Sequence, residues 1–326
     1  MSDEAETPAQ DTRHAVTAPS DRDRWCQTME ARCAEEGYFE PVGDRHWAWF
    51  HDDGPALVVT FETLDSILAR EGQVSFGHSV AAQRGWSHLC LISDGETWFR
   101  DDRVYRFFGR LVDEGFFEDF DNVLFFGTGS GAHAACAFAV CAPGAAVLAV
   151  QPRATLDPAV TGWDDRFARL RRLDFTSRYG FAPDMVEGAA AVWLIYDPAL
   201  KADLIHAALF RGPHVHHLRA RFAGNRLEDA LTSMGVLPRL LTEACEGTLT
   251  PHIFARLWRR RLRNLPFLKE LLARTEAAQS QRRLWVLCRA LNTRVNLPRA
   301  RRLYGRLHAH YATPAERADA GAWAED

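Results

Sequence analysis

The segment from 122 to 138, NVLFFGTGSGAHAACAF, limits the possible folds of this chain more than any other feature. Its apolar start, Val123 to Phe126, runs into three glycines, Gly127, Gly129 and Gly131, and small residues follow. This order predicts a strand, a tight turn and a helix, because glycine adopts backbone angles that other residues avoid. Three kinds of site use such a unit: a phosphate-binding loop, a site for S-adenosylmethionine, and a turn that presents a nucleophilic serine.

Further apolar runs predict that this unit belongs to a larger sheet. They cover residues 56–61, 88–92, 145–150 and 191–196, and a less apolar, alternating run covers 214–222. Helical patterns occupy 25–36, 104–114 and 132–140. Unbroken short strands that alternate with helices predict an α/β fold with a mostly parallel sheet covered by helices on both faces. In such sheets, ligands bind beyond the carboxyl ends of the strands.

Changes in composition divide the chain into four predicted parts. We predict a disordered tail over residues 1–20 and an α/β-hydrolase-like domain over 21–240. We predict a basic helical extension over 241–316 and a flexible tail over 317–326. From His252 to Tyr311 there are 15 lysines and arginines against two acidic residues, Glu270 and Glu276. These arginines form either a solvated helix surface that pairs partly with the acidic domain, or a site for an anionic partner. No nucleic-acid-binding motif is present, so we do not predict a nucleic-acid partner.

Composition also excludes several classes of protein. The net charge is −4 at neutral pH, so the whole molecule is not a general binder of polyanions. The seven cysteines are scattered without a C-x-x-C pair, which excludes a zinc ribbon and a thioredoxin-type redox pair, and we predict no metal or cofactor. The first residues lack the apolar core of a secretory signal, and no apolar run approaches the ~18 residues of a membrane span. We therefore predict a cytoplasmic protein that binds a small molecule.

The glycine turn lacks the partners that the nucleotide-binding alternatives need. A P-loop requires a lysine after its glycines, and none is present. A dinucleotide fingerprint would have Ala132 at its third glycine, and Gln151 stands where its ribose-binding acid is expected.

The segment VLFFGTGSGAHAACAFA is similar to the first motif of Rossmann-like S-adenosylmethionine-dependent methyltransferases, and the Asp197-Pro198 pair resembles their later motif. That family usually has an acid where this chain has Phe125, and usually places the turn on the first core strand. A methyltransferase is kept as an alternative.

The third interpretation is the nucleophile elbow of the α/β-hydrolase fold, G-x-S-x-G, which follows several strands as this turn does. Over residues 45–240 the chain resembles a bacterial group of α/β-hydrolase-like proteins, some of them associated with polysaccharide genes. The matching stretches are ALVVTFE, HLCLISDGETWFRDD, the glycine turn with its helix, AVQPRATLDP and VWLIYDPALKAD. The resemblance implies a catalytic acid at Asp197 and a histidine base just after the last strand.

The chain departs from that triad at two of its three positions. In strict register Gly129 occupies the nucleophile position, and Ser130 comes one residue late. Beyond the 214–222 run lies Asn225, whose amide cannot take up a proton as a base does. The nearby histidines lie inside the strand pattern: His214, His216 and His217. Because triad members act as a unit, losing two of them removes nearly the whole covalent mechanism.

We therefore predict an α/β-hydrolase-like protein with a degenerate triad that binds an anionic or carbohydrate-type ligand at the glycine turn. The ligand-binding candidates are Gly127, Gly129, Gly131, His133 and Asn225, and for His133 a capping or packing role is the alternative. The main alternative function is an active serine hydrolase or acyltransferase with Ser130 and Asp197 as catalytic residues. The sequence thus leaves open whether the protein is an enzyme.

Some proteins that this chain resembles carry the name phosphoadenosine phosphosulfate reductase, which supplies a further alternative. That chemistry requires a serine- and glycine-rich loop with lysine and aspartate, and a C-terminal cysteine in a Glu-Cys-Gly context. Here Cys245 lies in the sequence Glu-Ala-Cys-Glu-Gly, and no such loop exists. The motifs do not support the name.

Other polar residues are expected near the carboxyl edge of the sheet. They are Asp157, Asp164, Asp165 and Arg166, together with Trp98 and Asp101. Carboxylates at this edge are either acid–base groups or metal ligands, or else they cap the helices that follow them.

Overall fold

A computed structural model describes residues 21–33 and 37–311, so the two predicted tails, 1–20 and 317–326, lie outside the described residues. Eight strands are found in the described part: β1 Gly37–Pro41, β2 His46–His51, β3 Ala56–Thr63, β4 Ser87–Ser93, β5 Asn122–Thr128, β6 Ala146–Val150, β7 Ala191–Tyr196 and β8 Val215–Arg219.

Fourteen α-helices accompany these strands within the described ranges. They are α1 Asp21–Arg32, α2 Leu64–Leu68, α3 Phe76–Ala81, α4 Asp102–Asp113, α5 Ser130–Phe138, α6 Pro158–Thr161, α7 Ala182–Met185, α8 Lys201–Leu209, α9 Leu227–Ser233, α10 Leu237–Cys245, α11 Pro251–Trp258, α12 Leu265–Ala277, α13 Gln281–Asn292 and α14 Pro298–Tyr311. Short 3₁₀ turns cover Glu71–Gln73, Ala82–Arg84, Phe116–Asp119, Ala139–Cys141, Asp165–Leu170 and Arg259–Leu262.

The strands form one sheet in the order β1-β2-β4-β3-β5-β6-β7-β8. β2 runs antiparallel to both of its neighbours, and the pairs from β4 to β8 are parallel. The predicted fold class is confirmed: a mostly parallel sheet covered by helices, followed by C-terminal helices. The glycine turn follows β5, in the middle of the sheet.

Sequence patterns missed β1 and β2. β1 is a half-buried edge strand whose apolar residues are Tyr38 and Phe39. It pairs with β2 from Gly37 opposite His51 to Pro41 opposite Trp47, and this contact is not visible in any local pattern. The prediction for β8 was too long, since the strand ends at Arg219 rather than at 222.

Alternating side chains of the central strands enter two apolar cores, one on each face of the sheet. On β3, Leu57 and Val59 belong to one core, and Ala56 and Val58 belong to the other. The first core includes Val104, Phe107, Phe108 and Leu111 of α4 and the buried small and aromatic residues of α5. The central strands have few polar residues because they are covered on both sides.

The C-terminal helices complete the second core. Leu241 of α10, Phe254 of α11 and Phe267 of α12 share this core with Leu124 and Phe126 of β5. The predicted boundary between residues 240 and 241 falls inside α10. The division into a domain and an extension therefore stays a prediction. Among residues 21–33 and 37–311, no helix has the length and apolar character that crossing a membrane would need.

The arginines of these helices have two kinds of environment. Arg260 donates hydrogen bonds to the carbonyl oxygens of Met234 and Gly235, and Arg274 donates to the carbonyl oxygen of Phe222. These side chains fasten the helices to the loops of the sheet domain. Several other arginines are exposed: Arg282, Arg283, Arg294, Arg302 and Arg306. The anionic partner suggested for this surface stays a prediction.

Candidate functional site

The glycine turn has the shape of a strained strand-to-helix elbow. Gly129 joins β5 to α5 with φ 56° and ψ −114°, a conformation that side-chain-bearing residues rarely adopt. A Cβ atom on Gly127 would lie 2.1 Å from the carbonyl oxygen of Gly131, and one on Gly131 would lie 2.2 Å from that of Phe61. Two glycines thus permit close packing of the backbone. The third occupies the tip of the turn, and Ser130 is the first residue of α5.

A small cavity opens beside this turn. Its volume is about 130 Å³, which is close to the ~150 Å³ of an engineered cavity that holds a benzene ring. The turn contributes Gly127, Thr128, Ser130 and Gly131 to its wall. The other polar wall residues are Glu62, Thr63, Ser66, Arg70 and Glu228. Neither Gly129 nor any histidine is among the described residues that line it.

Glu62, at the carboxyl end of β3, is a buried carboxylate that several donors hold in place. Its oxygens accept hydrogen bonds from the hydroxyl of Ser75 at 2.6 Å and from the backbone amides of Phe76 and Gly77 at 3.2 and 3.3 Å. Arg70 forms an ion pair with it. The charge of Glu62 is therefore already compensated by Arg70 within the cavity wall.

Glu228 brings a second carboxylate to the same cavity. It lies in the first turn of α9, the helix that follows the loop after β8. Burial raises the pKa of its carboxyl group, whereas a hydrogen bond with the Thr128 side chain and the charge of Arg70 lower it. Sequence analysis missed this residue. The available signal was its position, three residues beyond Asn225 and therefore near the base position that the resemblance implied.

Asp197 follows β7 as the resemblance implied, and it is fully buried. One carboxylate oxygen accepts hydrogen bonds from the amides of Ala199 at 2.9 Å and Phe222 at 3.0 Å. The other accepts from the amide of Gly224 at 2.8 Å and lies 3.8 Å from a guanidinium nitrogen of Arg274. The carboxylate thus fixes the loop after β8 and faces an arginine from α12.

The loop that Asp197 fixes also explains where β8 ends. The residues after Arg219 turn away from the sheet so that the amides of Phe222 and Gly224 can reach the carboxylate. Asn225 follows directly and is exposed. Asn225 lies in the loop that follows the last strand, next to the residues that contact Asp197. It is not among the described residues that line the cavity, and its ligand-binding role stays a prediction.

The histidines considered in the sequence lie elsewhere. His133 is 1% exposed, and a ring nitrogen is 3.0 Å from the carbonyl oxygen of Arg153. Its ring packs against Trp98 and Phe175, and burial lowers its pKa to about 3. Its predicted ligand-binding role does not fit this position, because the ring faces the interior instead of the cavity. His214 directly precedes β8 and therefore lies at the amino end of that strand, away from the glycine turn at the carboxyl ends. His216 and His217 lie within β8.

The acidic residues near the carboxyl edge act mainly as caps and ion-pair partners. Asp101, Asp157 and Asp164 each accept a hydrogen bond from the backbone amide two residues ahead, at 2.8 to 3.1 Å. Among the described residues, no group of three or more His, Cys, Asp or Glu side chains is arranged to hold a metal ion. These three aspartates therefore cap the helical turns that follow them, which was the alternative to acid–base or metal-binding roles.

A buried ionic network lies beyond β6. Arg166 pairs with Asp164 and Asp203, both at 2.7 Å, and Arg153 lies 3.3 Å from Asp203. The His206 ring is 3.1 Å from Asp164. The Gln151 side chain donates to Asp203 at 3.2 Å. Each of the four charges in this network has an opposite partner, and one buried polar atom, Nε of Arg153, has no hydrogen-bond partner.

Comparisons with known proteins find similarity among solved structures, at low sequence identity. No protein-family model and no curated protein matches it. Among solved structures it is similar to the esterase domain of a Rhodothermus marinus protein, with 16% identity, TM-score 0.37, and coverage of 62% of this chain and 94% of that one. Est1E from Butyrivibrio proteoclasticus has 14% identity, TM-score 0.40, and coverage of 64% and 99%. The capsule O-acetyltransferase of Neisseria meningitidis serogroup A has 8% identity, TM-score 0.39, and coverage of 60% and 91%. At these values no residue role is transferred.

Proposed function

We propose that this protein is a non-catalytic member of the α/β-hydrolase-like proteins, and that it binds a small hydroxyl-bearing ligand of carbohydrate type in the cavity beside the glycine turn. The observation that carries the proposal is the conformation of Gly129. The tip of the elbow, from which a hydrolase presents its nucleophile, carries no side chain here. Hydroxyl and carboxylate groups line the cavity next to it.

The surroundings of Asp197 and Asn225 support a lack of catalysis. In a triad the acid orients a histidine, which accepts the proton of the nucleophile. Here the Asp197 carboxylate accepts hydrogen bonds from three backbone amides and faces Arg274. Asn225 carries an amide, which is not a base at neutral pH. No histidine is among the described residues that line the cavity with Ser130, which supports a serine that is not activated.

The charges of the cavity favour a neutral ligand over an anionic one. Arg70 is paired with Glu62 and is therefore not a free cation for an anion. Glu228 adds a further carboxylate to the wall. Hydroxyl groups of a sugar can donate to carboxylate oxygens and accept from the hydroxyls of Ser130 and Thr128. Of the two ligand types predicted from the sequence, the carbohydrate type is the one that we retain.

A serine hydrolase or acyltransferase that uses Ser130 is the second candidate function. It is favoured by one observation, namely that Ser130 and Glu228 line the same cavity. A carboxylate whose pKa is raised by burial can act as a general base when it lies within hydrogen-bond reach of a hydroxyl. This candidate requires a reactive Ser130, which chemical labelling detects.

The two remaining alternatives have less support. A methyltransferase would carry the glycine turn on its first core strand, whereas here it follows β5, and Gln151 is bonded to Asp203. The reductase alternative needs a reactive cysteine near the C-terminus. Cys245 is buried, and burial raises the pKa of its thiol to about 12, so that it stays protonated at neutral pH.

Binding of neutral sugars tests the proposed function. We expect saturation-transfer NMR to detect at least one of the methyl glycosides of glucose, galactose, mannose and N-acetylglucosamine at millimolar concentration with the wild-type protein. Ser130→Leu should abolish the signal, because the larger side chain fills a cavity of about 130 Å³. Ser233→Leu, at an exposed position of α9, is the matched control and should bind as the wild type does. Absence of binding by the wild type, or equal binding by Ser130→Leu, would contradict the proposal.

A further inference from the structure

We propose that Glu228 selects the ligand of the elbow cavity by accepting hydrogen bonds from its hydroxyl groups and by excluding ligands that carry a negative charge. This inference rests on the proposed function, because it concerns the same cavity. The residue that distinguishes neutral from negatively charged ligands is then one that occupies none of the three triad positions. The class of ligand is a neutral sugar or polyol, as opposed to a uronic acid or a phosphorylated sugar.

The first step of the argument is that Glu62 is not free to bind a ligand. Its carboxylate already has four donors: the guanidinium of Arg70, the Ser75 hydroxyl, and the amides of Phe76 and Gly77. A carboxylate offers about four lone-pair positions, so these donors occupy its capacity. Glu62 is thus a fixed part of the wall.

The second step is that Glu228 has fewer partners. The Thr128 side chain lies beside it in the cavity wall, and Arg70 acts on it as a nearby charge. Since Arg70 is paired directly with Glu62, it cannot also neutralise Glu228 fully. Glu228 therefore retains acceptor capacity toward the cavity. The next residue, Asp229, is paired with Arg226 in an exposed contact and does not line the cavity.

The third step concerns the size of the cavity. A volume of about 130 Å³ corresponds to about four water molecules at ~30 Å³ each, so it can take one edge of a sugar ring with two or three hydroxyl groups. Hydrogen bonds to an ionised acceptor are roughly twice as strong as neutral ones. A second negative charge brought into the same small cavity is repelled by the carboxylate of Glu228, because like charges that lie close together at an interface are unfavourable.

The test uses two ligands that differ in one carboxylate. Methyl glucoside and methyl glucuronide share the ring and differ at C6, where a hydroxymethyl group is replaced by a carboxylate. We expect the wild type to bind the glucuronide at least ~10-fold more weakly, which corresponds to about 1.4 kcal/mol. In Glu228→Gln, which keeps the size and removes the charge, this ratio should fall to about 1 or reverse. Asp229→Asn removes the same charge just outside the cavity and should leave the ratio unchanged.

The outcomes separate the two proposals. If neither ligand binds the wild type or Glu228→Gln, and the other neutral glycosides also fail to bind, the proposed function is wrong and the inference is lost with it. If both ligands bind the wild type equally, or the ratio is the same in Glu228→Gln, ligand binding stands and Glu228 is not the selecting residue. A ratio that changes equally in Asp229→Asn would attribute the selectivity to overall charge, and would also overturn the inference.

Discussion

Asp197→Ala is expected to lower the free energy of unfolding by about 3–5 kcal/mol, the range found when one partner of a buried ionic contact is removed. The change leaves the amides of Ala199, Phe222 and Gly224 without their acceptor and Arg274 without its opposite charge. It also releases the backbone of Phe222, which Asp197 holds at φ 67°. Such a loss is a large part of the ~5–15 kcal/mol by which domains are stable. Urea denaturation at pH 7 measures it.

Two further variants make this prediction specific. Asp197→Asn keeps the size and one acceptor oxygen but turns a donor toward the amide of Gly224, so we expect a smaller loss of about 2–3 kcal/mol. Asp229→Asn removes a carboxylate whose side chain is 61% exposed, and should change stability by less than about 0.5 kcal/mol. A loss below 1 kcal/mol for Asp197→Ala would contradict the assigned role, since the loop after β8 would then not depend on this carboxylate.

Acidification below pH 6.5 is the second change with a large expected effect. Burial lowers the pKa of His46, His78 and His206 to about 4 each in the folded protein, against an ordinary value near 6.5. Their neutral form is favoured by folding, so the unfolded chain takes up more protons at acidic pH. Stability is therefore full above pH 6.5 and is lost as the pH falls toward 4. Each histidine costs about 1.4 kcal/mol per pH unit, and burial lowers the pKa of His133 to about 3 in the same way. The four together therefore cost about 5–6 kcal/mol per unit.

Urea midpoints at constant ionic strength between pH 8 and pH 5 measure this dependence. We expect little change from pH 8 to pH 7 and a steep fall below pH 6. His78→Phe removes one of the titrating groups, which packs against Trp49, and should make the fall shallower by about 1.4 kcal/mol per unit. His252→Gln, at an exposed position, should leave the slope as it is. Unchanged midpoints from pH 7 to pH 5 would contradict the prediction.

Local patterns predicted the central sheet because its strands are covered on both faces and are apolar throughout. The runs at 56–61, 88–92, 145–150 and 191–196 correspond to β3, β4, β6 and β7. β1 escaped prediction because it is a short edge strand, and its pairing with β2 is not visible in a local pattern. The helix predicted at 25–36 corresponds to α1, whose described part ends at Arg32, and residues 34–36 lie outside the described residues.

In the candidate site, too, the sequence located some residues and not others. The glycine turn and Asp197 were located by their order along the chain, because each strand end in this fold brings its next residue to the same edge of the sheet. Glu228 and Arg274 were not located, since their roles depend on which loops and helices meet in space. His133 was placed at the ligand site by its closeness to the turn in sequence. One residue along a helix rotates the side chain by about 100°, and here it points into the interior.

Fluorophosphonate labelling tests the central claim most directly, because this reagent forms a stable adduct with an activated serine. The wild-type protein and Ser130→Ala are treated in parallel with an active serine esterase as the reagent control, and the peptides are analysed by mass spectrometry. We predict no adduct on Ser130 in the wild type under conditions that label the esterase completely, since the tip of the elbow is Gly129 and no histidine lines the described wall of the cavity. An adduct on Ser130 that is absent from Ser130→Ala would contradict the claim and establish a serine hydrolase or acyltransferase.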